Sequence, residues 1–137
     1  MITTSTAAPM SPPRHDPEDF RRELSSAQDA LTQARDLLAG GVQVGMTPLQ
    51  HVADVNTYLG WGVGELADAA GATGGLGFVV SANLREARRA AREVGDRWNA
   101  IVDPGVDAAT VDRTAAALSP LAQRMVDRIT DALAALG

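Results

Sequence analysis

Residues 77–101, GFVVSANLREARRAAREVGDRWNAI, decide the fold, because two periodicities run through them together. Val80, Leu84, Ala87, Ala91, Val94, Trp98 and Ile101 alternate steps of four and three, the interval at which a helix keeps one apolar seam against a partner helix. On another side Arg85, Arg88, Arg89 and Arg92 fall at i, i+3, i+4 and i+7, so four guanidinium groups share one outward stripe. The spacing predicts a helix over 76–102 that buries one face and presents the other.

The same seam recurs upstream. Asp16-Pro17-Glu18-Asp19 supplies an N-cap acid, a proline in the first helical position and carboxylates where the helix dipole favours them. Phe20, Leu24, Ala27, Leu31, Ala34 and Leu38 then mark a helix over 16–39 that stops at Gly40-Gly41. Thr47 and Gln50 have the spacing of a capping box for a second helix over 47–71. Its expected seam is Leu49, Val52, Asn56, Leu59, Val63, Leu66 and Ala70. Asn56 on that seam would either fix register or meet water at a bundle end. Gly60, Gly62 and Gly64 each weaken a helix interior, so they imply close backbone approach beside Trp61 or an interruption; the expectation is a kinked helix that resumes with GELADAA.

Downstream, Asp103-Pro104-Gly105 reads as a turn and Asp107 as the next cap. The last helix, expected over 107–136, has the seam Val111, Ala115, Leu118, Ala122, Met125, Ile129, Ala132 and Leu136, widened by Leu121, Val126 and Leu133. Pro120 inside it predicts a kink or a tight junction that keeps the register.

Four such segments predict an all-α fold, an antiparallel four-helix bundle or stacked helical hairpins forming one domain over 16–137. A chain of 137 residues is long enough to bury its own core. Alanine-rich seams let helices approach closely around few large rings. Residues 1–15, with three prolines and no apolar period, predict an extended N-terminal arm.

Composition removes several function classes. Without cysteine there are no disulfides, thiolate metal sites or cysteine nucleophiles. A net charge of −5 argues against nucleic acid or an anionic membrane as a partner held by bulk electrostatics. The start lacks the basic and apolar regions of a secretory signal, and no stretch reaches the roughly 20 apolar residues of a membrane span. A cytoplasmic or virion-associated location is the expectation. All 12 basic residues are arginine, and alanine and glycine are abundant, the signature of a GC-rich genome such as that of an actinobacterium or its phage.

Two short stretches resemble known families. Gly71-Ala72-Thr73-Gly74-Gly75-Leu76-Gly77 resembles the glycine turn of short-chain dehydrogenases, and Gly62-Val63-Gly64 is a looser dinucleotide match. That turn needs a strand before it, whereas GELADAA is helical, and no lysine is present for that family's tyrosine-lysine pair. A helix-helix connection is the expected reading. Trp61-Gly62-Val63-Gly64 resembles the Trp-x-Gly turn of the small hairpins secreted by the type VII system, but Val63 stands in the glycine position and Gly62 where an acid should follow Tyr58.

No catalytic set is legible. His51 with Asp54, and Glu65 with Asp68, share a helix at three-residue spacing, but no Glu-x-x-His pair exists for a bundle metal site. Solvated side chains are the expectation there, with no metal and no cofactor. The arginine stripe carries the candidate partner-binding residues, Arg85, Arg88, Arg89 and Arg92. Glu86 with Arg89, Arg89 with Glu93, Glu93 with Arg97 and Arg92 with Asp96 have ion-pair spacing, which would leave Arg85 and Arg88 for a partner. The sequence therefore points to a non-enzymatic structural or assembly protein that contacts copies of itself or neighbours, as in a virion. The alternative is a small regulatory module whose arginine face meets an acidic protein or nucleic acid.

Overall fold

The seams fold the chain into four long helices, α1 (Pro17–Gly40), α2 (Pro48–Gly71), α3 (Phe78–Asn99) and α4 (Ala108–Leu136). The computed structural model describes residues 17–71 and 77–136. The expected arm over 1–15, the Asp16 cap and most of the Gly71–Gly77 connection lie outside the described residues. Among the described residues there is no strand, and the fold is an all-α bundle.

Each helix packs on its two neighbours, α1 on α2 and α4, and α3 on α4 and α2, so α1 and α3 stand on opposite corners. Side-chain bonds between helices show that neighbours run antiparallel. Gln28 Nε2 donates to Thr130 Oγ1 at 2.9 Å near one end, and Arg35 Nη1 donates to Gln123 Oε1 at 3.3 Å a turn or two away. Ser26 Oγ donates to Glu65 Oε1 at 2.7 Å between α1 and α2. The α2–α3 pair is the most loosely packed of the four.

Three helices bury the side chains that their spacing predicts. Phe20, Leu24, Ala27, Leu31, Ala34 and Leu38 of α1 are buried, as are Val80 through Trp98 of α3 and Val111 through Ala132 of α4. Ile101, Leu121, Leu133 and Leu136 are half-buried against that core. Pro120 causes no change of register. It lies on the exposed side of a continuous α4, so the Ala116 carbonyl that loses its partner amide faces solvent, while Leu118 and Ala122 stay in the core.

The second helix departs from its expected seam. Val52, Leu59 and Leu66 are buried, but the intervening positions are Val55, Gly62 and Ala69 rather than Asn56 and Val63. Asn56 is half-buried and Val63 is 37% exposed. Trp61 is 58% exposed. No break or restart occurs at the glycines, because α2 is one helix from Pro48 to Gly71. Gly62 has a local reason to be glycine, since a Cβ there would overlap the buried Leu31 side chain of α1. Gly60 and Gly64 face open space.

The caps read from the sequence form where described. Gln50 N donates to Thr47 Oγ1 at 3.1 Å, and Thr47 N to Gln50 Oε1 at 2.8 Å, a complete capping box. Thr110 N donates to Asp107 Oδ1 at 2.7 Å. Hydrogen bonds from the Thr110 side chain and amide hold the Asp107 carboxyl below the usual carboxylate range. Gly41 ends α1 with φ +69, a left-handed conformation that glycine adopts without steric cost.

Candidate interaction surface

The two flanks of α3 differ in charge satisfaction. Toward α4, Glu86 bonds Arg89 at 3.4 Å and Arg124 of α4 at 3.1 Å, and Arg97 meets Glu93 at 3.4 Å. Asn83 Oδ1 accepts a bond from Arg128 Nη1 at 3.5 Å on the same flank. Of the four ion pairs expected from spacing, Glu86–Arg89 and Glu93–Arg97 form, whereas Arg89–Glu93 and Arg92–Asp96 do not. Among the described residues, Arg85, Arg88 and Arg92 make no hydrogen bond or ion pair. The stripe thus divides: Arg89 belongs to the paired flank, and the other three, at steps of three and four, form an unpaired flank whose Arg92 lines the side toward α2.

That side holds a groove of about 340 Å³ between α2 and α3. Its α2 wall is Asn56, Leu59, Gly60 and Val63, and its α3 wall is built from Ala91, Arg92, Gly95, Asp96 and Asn99. No atom lies within 4 Å of where a Cβ on Gly60 or Gly95 would stand. The groove exists because glycine and alanine occupy positions where larger side chains would close the helix pair. Its chemistry is an apolar floor with one guanidinium, Arg92, and one carboxylate, Asp96, toward the Asn99 end.

Aromatic and aliphatic groups are exposed on α2, α3 and the end loops, with Trp61 on the α1-facing side of α2 beside Gln33 and Leu37. The large apolar side chains exposed among the described residues are Trp61 and Val63 of α2, Phe78 (79%) and Val79 of α3, and Val44 and Val102 in the end loops. Neither α1 nor α4 contributes one.

His51 was expected in solvent and is instead buried, 1% exposed, with its ring edge against Trp98 at 6.1 Å between centroids and 80° between planes. Neither ring nitrogen has a hydrogen-bond partner. Desolvation lowers its pKa from the ordinary value, while the charges of Asp112 on α4 and Asp54 on α2 oppose that shift. The folded state therefore holds fewer protons than the unfolded chain below about pH 6.5, so stability is complete above that pH and falls as the solution is acidified through the folded value. Thermal unfolding of wild type and His51→Leu between pH 7.5 and 5 should diverge, with the wild type losing more stability on acidification. Parallel curves would rule out His51 as the source.

Among the described residues no three histidine, aspartate or glutamate side chains converge at metal-ligand spacing. No described helix is long and apolar enough to cross a membrane. Comparison with protein-family models, curated proteins and solved structures returned no match. The class that the fold and surface define is an all-α helical bundle with an apolar-floored groove, bordered by Arg92 and Asp96, between its most loosely packed adjacent helices.

Proposed function

We propose that the protein is a non-enzymatic assembly module, which packs against copies of itself or neighbouring proteins in a larger complex such as a phage virion. The observation that carries this reading is the exposure of Trp61 on α2 and Phe78 on α3 while α1 and α4 bear no large exposed apolar side chain among the described residues. Aromatic side chains are enriched in protein interfaces and dominate their energetics, because burying one removes a large apolar area from water. Sedimentation velocity across a hundredfold range of protein concentration should show a reversible rise in mass. The Trp61→Ser/Phe78→Ser double variant should stay monomeric with unchanged helix content. A wild-type monomer throughout, or association that survives both substitutions, would refute the assembly role.

A second reading, a regulatory module whose arginine face engages an acidic protein, is favoured by one specific observation. Among the described residues, no acid meets the guanidinium groups of Arg85, Arg88 and Arg92.

A further inference from the structure

We propose that the α2–α3 groove is the docking site for an acidic amphipathic helix of a partner protein, an inference that rests on the binding-module reading. The argument begins with shape. Gly60 on α2 and Gly95 on α3 both line the groove with no atom within 4 Å of where their side chains would begin, and Leu59 and Val63 provide an apolar wall. A lane of this kind admits the apolar ridge of a third helix, in the way that ridges of one helix enter grooves of another.

Charge then selects the occupant. Arg92 lines the groove, and Arg88 and Arg85 continue the same flank of α3 beyond its end, the three spanning about 10 Å of helix axis at a rise of 1.5 Å per residue. A partner helix laid along the lane presents side chains at the same steps of three and four, so carboxylates flanking its apolar ridge meet the three guanidinium groups in register. The opposite flank of α3 shows what satisfied arginines look like in this protein, each held by Glu86 or Glu93. Asp96 at the far end favours a neutral or basic residue on the partner there and so fixes its direction.

Nucleic acid fits the same cations less well. The groove contains no aromatic side chain on which a base could stack, its floor is apolar, and the chain as a whole is negative at −5.

The test uses a fluorescein-labelled 21-residue peptide with leucine and alanine on one face and glutamate on its flanks, titrated with the full chain and read by anisotropy at a protein concentration where the chain is monomeric. Saturable binding is expected, weakened at least tenfold by Arg88→Ser/Arg92→Ser and at least tenfold by Gly60→Leu. The second variant keeps every charge but fills the lane, and Gly60 faces open space, so folding is retained. A scrambled peptide of equal charge, with its leucines spread around the helix, should bind at least tenfold more weakly. Absence of saturable binding, equal binding of both peptides, indifference to either variant, or preference for a DNA duplex over the peptide would each overturn the proposal. Peptide binding by a chain that never self-associates would uphold the groove and refute self-assembly; self-association without peptide binding would do the reverse.

Discussion

Trp98→Ala is expected to remove about 3–5 kcal/mol of folding stability, the loss typical of deleting a fully buried aromatic ring. Trp98 is completely buried where the end of α3 meets the start of α2, and its indole Nε1 donates to the Val52 carbonyl at 3.1 Å across 46 residues of sequence. It also supplies the ring against which His51 packs. The side chain is therefore the main bolt between the adjacent pair of helices that otherwise touches least. For a chain of this size, with total stability on the order of 5–15 kcal/mol, the deletion takes a large share. Trp98→Phe separates the two contributions. It keeps most of the ring and loses only the indole donor, while the Val52 carbonyl remains in a helix; a cost of about 1 kcal/mol is expected, the net worth of one hydrogen bond. Urea unfolding followed by circular dichroism at 222 nm measures both. A loss below about 1 kcal/mol for the alanine variant would mean that the α2–α3 pair is held elsewhere.

The same region explains how far the sequence could be read. The seams of α1, α3 and α4 were legible because one face of each is apolar and the rest is charged, so only one set of positions at alternating three and four could be the core. On α2 two such sets compete. Both share Val52, Leu59 and Leu66; one adds Asn56 and Val63, the other Val55, Gly62 and Ala69, and glycine gives no hydrophobic signal to break the tie. A slip of one position turns a helix by about 100°. That ambiguity set Asn56 and Val63 on the core seam and left His51 in solvent, whereas packing against α1 and α3 buries Val55, Gly62 and His51. The arginine stripe was legible as a stripe, since spacing alone puts four guanidinium groups on one side. Its division was not, because Glu86 is drawn toward Arg124 of α4, a contact that no local spacing contains. Nor could spacing show that Arg92 and Asp96, four residues apart, do not pair, which leaves Arg92 with Arg85 and Arg88 as a cation without a partner among the described residues.

Gly62→Ala should destabilise the protein by about 1–3 kcal/mol, the usual cost of forcing extra atoms into a packed core, whereas Gly60→Ala and Gly64→Ala should each stabilise it by roughly 0.5–1 kcal/mol. All three replacements make the same favourable change in helix propensity. Their signs differ because of what the new methyl group meets. At Gly60 and Gly64 it meets nothing within 4 Å. At Gly62 it would overlap Leu31 Cγ and stand 2.5 Å from Cδ2, and Leu31 is wholly enclosed, so neither rotation of its side chain nor solvent offers an escape. Relief requires α1 and α2 to separate along their length. Leu31→Ala alone creates a cavity and should cost about 2–5 kcal/mol, but in that background Gly62→Ala fills part of the space and should become neutral or favourable. The double-mutant cycle should thus show a coupling of about 1–3 kcal/mol, as contacting residues do. Urea midpoints with unchanged slopes would measure it as a stability effect. If Gly62→Ala stabilised the chain as much as Gly60→Ala, α1 and α2 could not be packed as closely at this point as the position of Leu31 requires.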